Sequence, residues 1–151
     1  MGVTVIDHVL RLALAAVFIW AGASKAMDPG GFVFAVHAFR LTPWPVSAGI
    51  ALYLPWLEIL AGSAILFRRT RPGGLAVLLV LALVFLGVLL SAAARGLPIS
   101  CGCFGAGMHS RGLGGSIALD LVLLPVILYL ILRHVADIES PVHVRQNILF
   151  R

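Results

Sequence analysis

Charge is scarce in this sequence. Only 11% of its 151 residues are Asp, Glu, Lys or Arg, and six of those are acidic, against roughly a quarter charged in an average soluble domain. That shortage excludes a water-soluble globular chain. With 61% hydrophobic residues and a mean hydropathy of +1.08, the solvent for most side chains is lipid. Cysteine is scarce as well. Cys101 and Cys103 are the only two, so there is no second thiol pair for an internal electron relay. The formal net charge of +5 and pI near 10.3 would suggest nucleic acid in a soluble protein. Here the arginines cluster beside apolar segments, where they set topology and meet anionic lipid, and no nucleic-acid partner is expected.

What the chain has in abundance is apolar runs of about 20 residues, the length that crosses a hydrocarbon core of about 30 Å. Four stand out, at about residues 3–23, 46–67, 72–94 and 113–132. The third, "GGLAVLLVLALVFLGVLL", carries no charge at all. The expected fold is all-α, a polytopic bundle of four transmembrane helices over residues 1–132, followed by a cytoplasmic tail at 133–151. A rival reading takes the first run as a cleaved signal peptide ending at the "AGA" of Ala21–Ala23. Asp7, and the lack of a basic residue ahead of Arg11, argue against it. Between the first two runs, Asp28-Pro29-Gly30-Gly31 interrupts the helix. Phe32, Val33, Val36, Phe39 and Arg40 then recur at roughly helical spacing, so an amphipathic helix on the outer surface is expected over residues 30–41. Trp20 and Trp44 fit an aromatic belt.

Orientation follows from the basic residues. Arg68, Arg69 and Arg71 lie between the second and third runs, and Arg133, Arg145 and Arg151 follow the fourth. Those ends should face the cytoplasm. In a cell inner membrane both termini are then cytoplasmic, and the loop bearing Cys101 and Cys103 is extracytoplasmic, where disulfides form and persist.

Ionisable residues inside spans are costly, and each needs a partner. At 1.5 Å per residue, Arg11 and Glu58 both fall roughly 18 to 20 Å below the outer surface, so an Arg11–Glu58 pair between antiparallel helices is expected, with Asp7 competing for Arg11 at i, i+4. Such a pair either fixes helix register or handles protons. Asp120 lies roughly 10 Å below the cysteine loop with no basic residue at its own depth, although Lys25 can reach inward from the rim. It is a candidate for accepting protons from the loop or for contacting a bound quinone, beside the plain reading of a shielded acid. Arg11, Lys25, Glu58 and Asp120 are thus the candidate cofactor-binding set.

The stretch "ISCGCFG" at residues 99–105 places both thiols one residue apart. A disulfide there closes a very small ring, which Gly102 and Gly105 make sterically possible, and strained bridges are the oxidising and labile ones. As a brace it would restrict almost no loop entropy. Cys101 and Cys103 therefore read as a reactive dithiol, with Arg95 and Arg111 beside the loop either favouring a thiolate or anchoring the rim. A metal reading stands beside it: Cys101, Cys103, Met108 and His109 lie within nine residues, a soft donor set that suits copper(I).

Taken together, "RLALAAVFIWAGASKAMDP", "LPWLEILAGSAILF" and "ISCGCFG" resemble the DoxX-like membrane proteins and, within them, the MauE group named for methylamine utilisation. The resemblance covers roughly Arg11 to Leu130 and includes a G-x-x-K pattern at Gly22 and Lys25. It implies a four-helix membrane bundle. It also implies association with a thioredoxin-like partner and with disulfide formation or maturation of an exported enzyme subunit, while DoxD-type relatives are linked to quinone reduction. The expected function is a membrane thiol-disulfide oxidoreductase. It would exchange electrons between an extracytoplasmic thioredoxin-like protein and a quinone or another redox chain. A copper-handling protein and a non-catalytic subunit of a redox complex are the alternatives. The orientation is directly testable: a membrane-impermeant thiol reagent should label reduced Cys101 and Cys103 on intact cells, and labelling only after lysis would reverse the topology.

Overall fold

The computed structural model describes residues 2–96 and 113–149, with side chains from 5–96 and 113–136. It contains five helices: α1 (Gly2–Met27), α2 (Pro29–Ala38), α3 (Trp44–Ala64), α4 (Arg71–Ala94) and α5 (Leu113–Leu149). Four of them are long and apolar enough to span a membrane, over Val5–Met27, Trp44–Ala64, Arg71–Ala94 and Leu113–Ala136. The chain is an integral membrane protein with an all-α bundle, as its apolar runs require. The cysteine loop, with Cys101, Cys103, Met108, His109 and Arg111, lies outside the described residues.

Helix boundaries follow local chemistry. Asp28 caps α2, its Oδ1 accepting from Gly31 N–H at 2.9 Å, and Pro29 fills the first helical position, where no N–H is needed. Arg40, with φ +53°, takes the left-handed conformation that ends α2. Beyond the end of α3, Thr70 Oγ1 donates to the carbonyl of Ala64 at 2.8 Å and Arg71 Nε to that of Ile65 at 3.3 Å, satisfying acceptors that a helix end leaves open.

Within each span the buried positions recur every three or four residues. On α1 they include Asp7, Leu14, Phe18, Ala21 and Lys25, and on α3 Ser47, Ala51, Pro55, Glu58 and Gly62. Leu14, Phe18, Ile65, Leu78, Ile127 and Leu130 belong to the main apolar core, and a second cluster of Phe39, Leu89 and Ala92 sits where α2 meets the end of α4. Because lipid is as apolar as this core, burial gives little drive and close packing decides the register. Two glycines show it. A Cβ on Gly22 would stand 2.6 Å from the Pro55 carbonyl oxygen and 3.2 Å from Glu58 Cβ, and one on Gly62 would stand 3.2 Å from Ile19 Cγ1 and 3.4 Å from the Ala15 carbonyl oxygen. Helices α1 and α3 therefore run antiparallel, with Gly22 opposite residues 55–59 and Gly62 opposite residues 15–19.

This register leaves the start of α3 projecting past the end of α1, and α2 packs on the projection. There His37 Nδ1 lies 3.5 Å from Ser47 Oγ, and the Trp44 ring meets those of His37 and Phe34 at 5.2 and 5.3 Å. Ser47 is fully buried, and its hydroxyl is 2.9 Å from Thr42 Oγ1. At the end of α4, Arg95 Nη2 donates to the Phe39 carbonyl at 2.7 Å and Nε to that of Ser91 at 3.1 Å, tying α4 to α2. Gly22→Ala should lower the melting temperature in detergent and cost about 1–3 kcal/mol, the usual penalty for overpacking against backbone. Gly49→Ala, with nothing within 4 Å of the added carbon, should leave it unchanged.

Candidate functional site

The α1–α3 register decides which charges meet. Extended along α1, it carries Arg11 toward residues 68 and 69, about 11 residues or roughly 16 Å from the level of Glu58. The expected Arg11–Glu58 pair does not form. Arg11 Nη2 instead lies 3.8 Å from Asp7 Oδ2, the i, i+4 competitor. Glu58 is held by Lys25, whose Nζ donates to Oε1 at 2.6 Å and to Oε2 at 2.7 Å. The expectation failed because it set the outer ends of the first two spans level. In the structure α1 continues to Met27 and α3 starts at Trp44, well beyond it. A helical side chain also leans toward the N-terminus of its helix, so Lys25 reaches back along α1 to the level of Glu58.

Lys25 is not at a rim: it is 2% exposed and Glu58 1%. Its ammonium lies 5.0 Å from the centroid of the Phe85 ring on α4 and 5.6 Å from that of Phe32 on α2, within reach of cation–π attraction. Four elements thus enclose one charged group. α1 supplies the lysine, α3 its carboxylate partner, α2 and α4 the aromatic faces.

Helix α5 completes the site. A cavity of about 50 Å3 is lined by Lys25, Glu58 and Phe85 together with Ser116 and Asp120 of α5, and its walls are otherwise apolar. Asp120 Oδ2 is buried and has no hydrogen-bond partner among the described residues. Lys25, the residue expected to reach inward toward Asp120, lines the same cavity, although it does so from a buried position and not from a rim. Of the four candidate residues, Lys25, Glu58 and Asp120 come together and Arg11 stands apart. Phe32, Phe85 and Ser116 were not anticipated. The only signal for them in the sequence is an aromatic residue one turn into the short helix, and a hydroxyl four residues before Asp120 on the same helix face.

The cavity lies in the half of the bundle toward the end of α4 and the start of α5, the two helices that flank the segment carrying Cys101 and Cys103. Arg95, a candidate to favour a thiolate, is used here as a rim anchor through its bonds to Phe39 and Ser91. Among the described residues no three His, Cys, Asp or Glu side chains converge on a metal position.

Quinone chemistry can be tested against this donor set. A lysine and two carboxylates among apolar walls match the polarity of a quinone head group, but the volume does not match. A cavity near 150 Å3 takes a benzene ring, whereas about 50 Å3 holds only a few water molecules. Between the described side chains there is therefore room for waters and not for a quinone ring.

Fold and site together define a polytopic α-helical membrane protein with a buried lysine–carboxylate centre. Residues 3–133 match the family described as methylamine utilisation protein MauE, and the chain belongs to that family. No curated protein and no solved structure matches it.

The lysine–glutamate contact yields a sharp expectation. Lys25→Ala and Glu58→Ala should each destabilise the bundle by about 3–5 kcal/mol, because each leaves a buried charge unpaired. The double variant should cost clearly less than the sum. Arg11→Ala combined with Glu58→Ala should be additive, and non-additivity there would restore the discarded pair.

Proposed function

We propose that this protein is a membrane-embedded thiol-disulfide redox protein. In this reading Cys101 and Cys103 exchange electrons with an extracytoplasmic thioredoxin-like partner and pass them to, or receive them from, a quinone or another redox chain. The exchange supports maturation of exported proteins, methylamine utilisation being the process for which the family is named. The observation that carries the reading is the convergence of Lys25, Glu58 and Asp120 in one cavity, in the half of the bundle toward the two helix ends that flank the cysteine segment.

The chemistry is that of thiol-disulfide exchange. A thiolate of one protein attacks a disulfide sulfur of the other and forms a mixed disulfide. The second cysteine of the pair displaces it. One disulfide and one dithiol change places, with two electrons and two protons. The same sequence runs in either direction. With a single cysteine pair, the electrons must afterwards cross to a second partner. The role of Lys25, Glu58 and Asp120 in this scheme is to keep exchangeable protons and hydrogen-bonding groups in the half of the bundle from which the cysteine segment leaves α4 and rejoins α5.

Single Cys101→Ser and Cys103→Ser variants, recovered from cells under alkylating conditions, should behave differently. The variant that keeps the partner-facing sulfur should accumulate a mixed disulfide, since the resolving thiol is missing, and both should lose turnover with a thioredoxin-like protein. Retained turnover in the double serine variant would overturn the redox reading. Equal loss of bound copper(I) in the two variants, weakened further by Met108→Ala or His109→Ala, would favour metal handling instead.

A further inference from the structure

A second buried charged centre lies at the opposite end of the bundle and takes no part in the chemistry above. Asp7 on α1 is 3% exposed. Its Oδ1 accepts from the Tyr129 hydroxyl at 3.1 Å and its Oδ2 from Arg133 Nη2 at 3.4 Å, both donors being on α5. Arg11 Nη2 is 3.8 Å from that same Oδ2. Two guanidiniums, each with five N–H donors, thus converge on one carboxylate oxygen, at distances beyond the roughly 2.7–2.9 Å of a strong charge-assisted bond. One carboxylate cannot satisfy them. Arg133 Nε is buried and has no partner among the described residues.

The position of the cluster narrows the missing acceptor. Arg11 lies about six residues inside the start of its span and Arg133 about three inside the end of its own, roughly 9 and 5 Å along the axes, the depth at which head groups meet acyl chains. Exposed Val5, Val9 and Leu12 on α1, and Leu128 and Leu132 on α5, present hydrocarbon-facing surface on the same two helices. Among the described side chains at this end, Asp7 is the one carboxylate beside Arg11 and Arg133, and Arg68 and Arg69 add further positive charge. Surplus donors, surplus positive charge and apolar flanks call for an anion that carries acyl chains.

We propose that Arg11 and Arg133, held in place by Asp7 and Tyr129 between α1 and α5, bind the phosphate group of an anionic phospholipid. The planar fork of each guanidinium suits phosphate oxygens, and basic pockets between membrane helices are a recurrent means of holding such head groups. Asp7 acts as the positioning residue: it keeps the two cations adjacent, where they would otherwise repel.

The test uses the full chain in nanodiscs made from equal parts of phosphatidylglycerol and phosphatidylcholine. Native mass spectrometry of the released protein then counts the lipids retained. The wild type should keep phosphatidylglycerol preferentially, and Arg11→Gln or Arg133→Gln should each lower that preference about five-fold. Arg133→Lys, which keeps the charge but loses the fork, should lower it by less, and it serves if the glutamine variants do not fold. The Arg68→Gln, Arg69→Gln double variant removes more charge from the same end and should leave retention unchanged. An equal fall in that variant would make the attraction diffuse and overturn the site. Equal retention of the two lipids by the wild type would also overturn it, and displacement of phosphatidylglycerol by millimolar inorganic phosphate would assign the pocket to a soluble anion instead.

Discussion

An ammonium and a carboxylate buried in the same membrane bundle must find each other, and the contact between Lys25 and Glu58 constrains everything around it. Either charge alone at that depth would cost several kcal/mol. Meeting at 2.6 and 2.7 Å, they compensate one another, but only in one register of α1 against α3. Gly22 makes that register possible by letting the Pro55 carbonyl and the Glu58 side chain approach the α1 backbone. Specificity of helix pairing comes here from a charge pair and from the absence of a side chain beside it, in a solvent where apolar burial discriminates poorly.

The same register explains the short helix. With α3 projecting beyond α1, its first turns would stand alone, and α2 covers them while bringing the Phe32 ring over the Lys25 ammonium. The Arg95 bond to the Phe39 carbonyl then fastens the end of α4 to the end of α2. At the other end of the bundle, Asp7 joins α1 to α5 through Tyr129 and Arg133. Polar ties at both ends flank an apolar middle of Leu14, Phe18, Leu78 and Ile127. Such ties are what holds one arrangement among many that bury apolar surface equally well.

Hydropathy alone was enough to read four spans and an all-α membrane bundle, since a run of about 20 apolar residues has one physical use. The charge pairing was harder to read. Glu58 is recognisable as a carboxylate in need of a partner, yet depth counted from level span ends matches it to Arg11. The true offset depends on where α3 begins relative to α1 and on how far a lysine side chain leans back, and neither shows in a one-dimensional pattern. Phe85 was invisible for another reason. In α4, "GGLAVLLVLALVFLGVLL", every face is apolar, so periodicity cannot distinguish the side that meets Lys25 from the side that meets lipid. Asp120 was legible as an unusual residue, while its cavity with Lys25 follows only from the packing of α5.

The two charged centres differ in a way that bears on function. At the Asp7 end the polar groups are tied to neighbouring helices and outnumbered by arginines, an arrangement suited to holding an anion still. At the Lys25 end the ammonium donates to both oxygens of Glu58, and Asp120 Oδ2 has no partner among the described residues. A buried carboxylate oxygen beside space for a few waters is a place where a proton can reside or leave without large rearrangement. Oxidation of a dithiol releases two protons with its two electrons, and reduction of a disulfide takes them up. A chain with one thiol pair can hand its electrons to a partner by exchange, but proton traffic still has to be managed near a low-dielectric interior. In the proposed redox reading, Lys25, Glu58 and Asp120 supply exchangeable groups for that task, which gives such costly residues a use in this half of the bundle.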